Sequence, residues 1–462
     1  MIDLREYKAI HCIGIGGIGL SAIAEILRSR GYNVSGSDMK ESDMADRLRS
    51  HGIDVHIGHN AENVDQADLI IYSAAIGMDN PELVRAKERN IPAITRAQAL
   101  GALMQEYDNS IAISGTHGKT TTTAMISLIL NDAEMDPTIL VGGNLGEIGG
   151  NVKVGTSQYF VTEACEYMDS FLSLKPKIEI ILNIDSDHLD YFKDVDHIAR
   201  SFDQFAGLVP EDGVIIAYDA NPFVKSVIEG RPNAVTFGLA ETCDYYASGI
   251  EFNNEGMPSF DVKHGGTTLC NMTLSVPGEH NVLNALSAFA CAHILGVDPE
   301  TIGETLQKYT GTQRRFDVLG RTSTGVKVID DYAHHPTEIK ATLAAVRKMQ
   351  HEKLWCLFQP HTYTRTMALM DDFAGAFGDA DEIIFAEIYA AREKNIHKIS
   401  STQLADRILE KEPGRSVRCI EDFNEMAAFV YENAGEGDLV LTMGAGDIYR
   451  VGEKILELDK NS

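Results

Sequence analysis

Basic residues are scarce in this chain. Lys and Arg number 40 against 68 Asp and Glu, a formal net charge of −28 over 462 residues. A field of that sign repels phosphate backbones, which argues against nucleic acid as a partner. Any anionic substrate must then be held by local cations. Long apolar runs are missing as well: no window approaches the ~20 residues of a membrane span. The opening Met-Ile-Asp-Leu-Arg-Glu has neither a basic leader nor an uninterrupted apolar stretch. No signal peptide and no membrane insertion are therefore expected. Cysteine pairing signals are also absent. Cys12, Cys165, Cys243, Cys270, Cys291, Cys356 and Cys419 are scattered, with no Cys-x-x-Cys. Such a set in a large chain points to reduced thiols and a cytoplasmic setting rather than a disulfide framework.

What is present is alternation of strands and helices. The length is too great for one core and suggests about three domains. The first begins with a strand, Ala9 to Ile13, followed by Gly14-x-Gly16-Gly17-x-Gly19 and a helical run from Leu20. A second strand ends at Ser37-Asp38. A βαβ unit with G-x-G-x-x-G and an acid about twenty residues on resembles a dinucleotide-binding fingerprint. The physics licenses a diphosphate at a helix start and an acid near a ribose, with a nicotinamide or flavin site as one reading. Arg96 follows the last strand of this segment and either meets an anion or lies on the surface. Gln105 to Asn109 reads as a linker.

The second segment carries the most informative stretch. A strand at Ser110–Ser114 runs into Gly115-Thr116-His117-Gly118-Lys119-Thr120-Thr121, then a helix start. Two glycines let backbone N–H groups close around an anion, and the helix adds its positive dipole end. Lys119 supplies a mobile cation for the outer phosphates, and Thr120 a hydroxyl for a magnesium ion. Only Gly-x-x-Gly-Lys-Thr is present rather than the full G-x-x-x-x-G-K-[ST]. Glu163 and Glu166 follow one strand; the run Asp185-Ser186-Asp187-His188 follows another. Strand ends are where open α/β sheets place ligands. His280 and Asn284 share one face of an Ala-rich helix, a pair that fits adenine and equally an ordinary helix start.

The third segment, from Arg314-Arg315-Phe316, alternates five apolar strands with helices, one of them expected over Thr366 to Phe377. That pattern means a second doubly wound sheet. Three polar loops follow its strands: Asp330 to Pro336, Gln359 to Arg365 and Gly444 to Asp447. The fold expected is α/β throughout. It comprises a Rossmann-like N-terminal domain (1–107), a central P-loop ATPase domain with a mostly parallel sheet (108–313) and a Rossmann-like C-terminal domain (314–462).

In order along the whole chain, these motifs resemble the Mur ligase family, the ATP-dependent amide-forming enzymes of peptidoglycan precursor synthesis. The glycine-rich opening and the Tyr-Ala-His-His-Pro loop are most similar to the branch that joins L-alanine to UDP-N-acetylmuramate. The resemblance implies that Gly14, Gly16, Gly17 and Gly19 face the UDP diphosphate, with Ser37, Asp38 and Ser73 nearby, and that no nicotinamide binds. It implies an acyl phosphate made with ATP as co-substrate. Gly115 to Thr121 would hold the phosphates, and His280 and Asn284 would frame adenine. Lys119 would contact the transferring phosphate. Thr120 and Glu163 would hold one Mg2+ and His188 a second; from the residues alone, a structural histidine is the stronger reading of His188. Arg315 would reach towards the phosphates. Tyr332, His334 and Arg365 would bind the amino acid, beside the small Ala333. Several members carry a carbamylated lysine after the Asp-His segment, but Ile198 to Asp203 has none, which resembles the alanine-adding branch. The competing expectations are the sister ligase attaching a recycled tripeptide and, from another class, an NAD-dependent dehydrogenase.

Overall fold

The structure is a computed structural model that describes residues 2–460. The chain forms two compact units. One takes the chain up to Gly115, Thr122–Asn183 and Ala199–Val235; the other takes Thr116–Thr121, Ile184–Ile198 and the chain from Thr236 on. Among the described residues no helix is long and apolar enough to cross a membrane.

In the first unit, β1 (Ala9–Ile13), β2 (Asn33–Asp38), β3 (Asp54–Ile57), β4 (Leu69–Tyr72) and β5 (Ala93–Thr95) form a parallel sheet in the order 3-2-1-4-5. Cys12, Ile13, Ile70 and Ile71 are fully buried, as strands covered on both faces require. The helix Ile18–Ser29 after β1 buries Leu20, Ile23, Ile26 and Leu27, the stripe of a helix docked on a sheet. Strand order reverses beside β1, so the loops at the carboxyl ends of β1 and β4 flank the crevice where such sheets bind ligands. Gly14 to Gly19 and Ser73 sit there.

Six further strands follow in this unit: β6 (Asn109–Ser114), β7 (Thr138–Leu145), β8 (Gly150–Lys153), β9 (Tyr159–Glu163), β10 (Ile178–Ile181) and β11 (Val214–Tyr218). Their order is 11-10-6-9-7-8, parallel except for the antiparallel β7–β8 pair. The stretch read as a linker is docked instead. Tyr107 is buried, stacks on Phe160 with ring centroids 4.9 Å apart and donates its hydroxyl to Thr138 at 3.0 Å; Asn109 already belongs to β6.

The boundary between units falls within β12 (Ala234–Gly238). In the second unit β13 (Tyr245–Phe252) runs parallel to β12, and β14 (Pro258–His264) and β15 (Thr267–Thr273) extend it as an antiparallel meander. The last sheet holds β16 (Asp317–Arg321), β17 (Lys327–Asp331), β18 (Leu354–Phe358), β19 (Glu382–Phe385), β20 (Val417–Cys419) and β21 (Leu439–Met443), in the order 16-17-21-18-19-20. All but β16 run parallel. The helix expected over Thr366 to Phe377 is two short ones, Tyr363–Ala368 and Met370–Ala374. Leu369 leaves helical geometry at φ −110°, ψ 23°, and both Leu369 and Phe373 are buried in the apolar core of this sheet.

Candidate active site

The phosphate loop is a backbone feature first. Gly115 and Gly118 lie at φ +133° and +86°, values that L side chains rarely adopt and glycine reaches without steric cost. A Cβ on Gly115 would come 3.2 Å from the Asn183 amide nitrogen. The helix Lys119–Asp132 begins directly after, and Lys119 Nζ donates to the Thr116 carbonyl at 3.2 Å. Thr116 Oγ1 accepts the Asp185 amide at 2.9 Å, which ties the loop to the Asp185–His188 segment.

His117 is held on both ring nitrogens, by Glu338 Oε1 at Nδ1 and by Asp185 Oδ2 at Nε2, each at 3.1 Å. Burial alone would lower this imidazole, but the two carboxylates overcome it and push it up to about 9. His117, Asp185 and His335 bring potential ligand atoms within 4.8 Å of one another. His335 Nδ1, however, accepts the Thr337 amide at 3.3 Å as the cap of the helix Pro336–Arg347, and His335 Nε2 donates to the Ser186 carbonyl at 2.9 Å.

Around these groups the second unit gathers the residues expected to take the amino acid. Asp187 Oδ1 and Oδ2 receive Arg365 Nε and Nη2 at 3.0 and 3.2 Å, a fork-shaped pair. Nη1 of the same guanidinium donates to the His361 carbonyl at 3.2 Å. Arg365 is thus restrained by a carboxylate 178 residues away, not by the surface acids after it; Asp371 pairs with Arg407 and Lys411. His188 adopts a left-handed φ of 53°, with its amide on Asp187 Oδ1. The guanidinium groups of Arg314 and Arg315 both lie over the Tyr332 ring, 5.1 and 4.8 Å from its centroid. Arg314 is anchored to Asp330 and to the carbonyls of Gly444 and Gly446, and Gln359 Oε1 accepts the Asp447 amide at 2.9 Å, so all three polar loops meet. Burial pushes His334 and His361 down to about 4, leaving both imidazoles uncharged near neutrality, and pushes Asp331 up to about 6. Ala333 is buried in the apolar core.

His280 and Asn284 lie on the helix Glu279–Ile294, where Asn284 Nδ2 donates to Asn281 Oδ1 at 3.1 Å and Asn281 Nδ2 to the Pro277 carbonyl. Asn281 was not singled out in the sequence. Its signal was the i, i+3 spacing to Asn284.

The first unit contains a cavity of about 350 Å³. Gly17, Gly19, Ser73 and Arg96 line one side, Gly142, Glu163 and Cys165 another. Glu163 Oε1 accepts the Gly142 amide at 2.7 Å, which fixes the carboxylate on the wall. Arg96 crosses Gly19 so closely that a Cβ there would meet Nη1 at 2.9 Å. Gly14 and Gly16 serve the loop itself: the Gly14 amide donates to the Ser37 carbonyl and the Gly16 amide to Asp38 Oδ2 at 2.9 Å. Ser37 is fully buried. Its hydroxyl donates to Glu82 Oε2 at 2.7 Å and lies 3.0 Å from His59 Nδ1. Burial would raise Glu82, yet the nearby His11 ring, 3.6 Å away, and hydrogen bonds from Ser37 and Asn63 hold it down to about 2. Ser37 and Asp38 therefore act beneath the glycine turn, an arrangement invisible in sequence because Glu82 is 45 residues from Ser37. Glu166 is buried at the end of the loop after β9. Of the expected metal ligands, Glu163 belongs to the first unit and Thr120 and His188 to the second.

Comparison with known proteins gives three family matches in chain order. They are the Mur ligase family catalytic domain over residues 9–108, the Mur ligase middle domain over 113–292 and the Mur ligase glutamate ligase domain over 314–446. The chain is 50% identical over 456 residues to the UDP-N-acetylmuramate–L-alanine ligase of Alkaliphilus metalliredigens, covering 98% of each. It is 51% identical over 460 residues to the enzyme of the same name from Caldanaerobacter subterraneus, covering 99% of each. Among solved structures, the UDP-N-acetylmuramate–alanine ligase of Thermotoga maritima superimposes with a TM-score of 0.81 at 30% identity, over 98% of this chain and 99% of that one. A murein peptide ligase from Psychrobacter arcticus gives 0.72 at 25% identity, with the same coverage. With matches along its whole length and an α/β architecture throughout, the chain belongs to the Mur ligase family.

Proposed function

We propose that this chain is the cytoplasmic, ATP-dependent ligase that joins L-alanine to the carboxylate of UDP-N-acetylmuramate in peptidoglycan precursor synthesis. The observation that carries this reading is the identity of half the residues, end to end, with enzymes bearing that name. The tripeptide-adding sister ligase is not favoured by these likenesses. The proposed domains are 1–107 for the sugar nucleotide, 108–313 for ATP and 314–462 for the amino acid.

A carboxylate is a poor electrophile. In the proposed reaction a muramoyl carboxylate oxygen attacks the γ-phosphorus of ATP, ADP leaves, and an acyl phosphate forms. The alanine amine then attacks the acyl carbon, and the tetrahedral intermediate expels phosphate as the amide forms. Negative charge spreads over the phosphoryl oxygens, so fixed cations and N–H groups in the phosphate loop lower the barrier. Lys119 and the amides of Gly115 to Thr121 are assigned that role, with Arg315 supporting it, and His280 and Asn284 are assigned to adenine. Mg2+, when bound, neutralises phosphoryl charge. The Thr120 hydroxyl and the Glu163 carboxylate offer the hard oxygens that ion prefers. We assign a second ion to His188, a softer ligand.

The cavity of the first unit suits the sugar nucleotide. It runs from the glycine turn, where a diphosphate would lie against Gly17, Gly19, Ser73 and Arg96, to Glu163, beside which the muramoyl carboxylate would lie. Arg96 is the local cation that so acidic a chain needs for an anionic substrate. For alanine, Tyr332, His334 and Arg365 are assigned to binding: the guanidinium pairs with the carboxylate, and the uncharged His334 does not repel the ammonium. Phosphate release measured with ATP, UDP-N-acetylmuramate and each amino acid or peptide in turn tests the proposal. Release that requires both the sugar nucleotide and L-alanine is expected; release with tripeptide alone, or none with any amine, overturns it.

A further inference from the structure

Glu338 touches both the phosphate loop and the loop expected to hold the amino acid. Its Oε1 meets His117 Nδ1 at 3.1 Å, across 221 residues of sequence. Its Oε2 accepts the backbone amides of His334 and His335 at 3.0 and 3.2 Å and lies 3.3 Å from His334 Nδ1. All these residues belong to one compact unit. As the third residue of the helix Pro336–Arg347, Glu338 completes a capping box. A capping box asks only that this side chain reach back to the cap residue's amide. The bond to His117 is not part of that motif. Asp185 closes the arrangement from the other side, taking His117 Nε2 at 3.1 Å and the Thr337 hydroxyl at 2.6 Å on the same Oδ2.

We propose that Glu338 is a positioning residue that sets the amino-acid loop in register with the phosphate loop. The inference rests on the functional reading above and deepens it. The acyl phosphate is made at one loop and consumed by an amine held at the other, so the separation of the two loops governs attack. A misplacement of about 1 Å in such an arrangement costs on the order of a hundredfold in rate. Glu338 fixes that separation with one rigid carboxylate, and His117 is the group through which the phosphate loop feels it. Neither residue needs to touch the reacting atoms.

The test is a double-variant cycle in the full chain, read in the Michaelis constant for L-alanine. Glu338→Gln keeps a carbonyl oxygen for the helix cap, and His117→Ala lies on the phosphate loop, away from the residues assigned to alanine. Each single variant is expected to raise that constant by about tenfold, and the double variant by no more than either alone, as coupled groups do. A Glu338 that only caps its helix predicts an unchanged alanine constant in His117→Ala. That result, or effects that multiply in the double variant, overturns the proposal. Should Glu338→Gln fail to fold, Glu338→Asp, which keeps the charge but withdraws it by one methylene, takes its place. If the unaltered chain shows no alanine-dependent turnover, the functional reading has failed on its own. The same variants are then read by calorimetry of Mg-ATP binding, where loss of non-additivity overturns the role of Glu338 separately.

Discussion

Replacing Arg365 by alanine separates two roles of one guanidinium. The first is structural: its Nε and Nη2 pair with Asp187, and the two side chains are only 12% and 9% exposed. Removing the arginine strands a buried carboxylate, which costs about 3–5 kcal/mol. Burial pushes Asp187 up, but Arg365, His188 and His334 outweigh it and hold the group well below the usual carboxylate range. A depressed carboxylate stabilises the fold above its unfolded pKa and loses that contribution as pH falls, so the penalty should shrink in acid. The second role is functional: if the arginine also pairs the alanine carboxylate, its loss costs about 2–5 kcal/mol of binding. At 1.4 kcal/mol per decade that is on the order of a hundredfold or more in the Michaelis constant for alanine. The constants for ATP and UDP-N-acetylmuramate should change little. Adding Asp187→Asn to Arg365→Ala removes the stranded charge, so urea unfolding should recover towards wild type while the alanine constant stays raised. Phosphate-release kinetics with each substrate varied in turn decide the matter. An alanine constant that stays near wild type in Arg365→Ala, or returns when Asp187 is neutralised, refutes a direct role. The arginine would then be only the partner of Asp187.

Lys119→Ala should abolish phosphate release while calorimetry finds the affinity for UDP-N-acetylmuramate nearly unchanged, because the cavity assigned to that ligand does not include the lysine; weakened binding would contradict the assignment. His117 is raised from 6.5 to about 9, so its stabilising contribution is complete below the unfolded value and fades as pH rises through the folded one. The urea-unfolding difference between wild type and His117→Phe should therefore narrow between about pH 7 and about pH 10, and a difference that widens would show that the two carboxylates do not hold the charged form. A Cβ on Gly142 would come 2.6 Å from Glu163 Oε1, so Gly142→Ala should displace that carboxylate and raise the Mg2+ concentration needed for half-maximal turnover, with the alanine constant little changed. An unaltered Mg2+ requirement would remove Glu163 from the metal site.

The parts of the fold legible in the sequence are those whose cause is local. Leu354–Phe358 is apolar at every position because a strand covered on both faces has no wet side, and β18 was read to the residue. Gly115 and Gly118 announced the phosphate loop because their backbone angles exclude other residues at low cost. The meander of β13 to β15 went unread: β15 mixes exposed and half-buried positions and gives no clean alternation. The site divides along the same line. A motif names the residue types that can meet a phosphate or a carboxylate, and it is the ground on which Lys119, Glu163, Tyr332 and Arg365 are assigned. It does not name what restrains them, because Asp187 for Arg365, Glu338 for His117 and Glu82 for Ser37 are set by tertiary pairing at separations of 178, 221 and 45 residues. Each of those restraints is a buried or half-buried carboxylate on a group that sequence reading assigned to a ligand. In a chain of net charge −28, the abundant acids therefore do more than colour the surface. Arg365, His117 and Ser37 are each aimed by one of them, and substrates must bind there within geometry that carboxylates have already fixed.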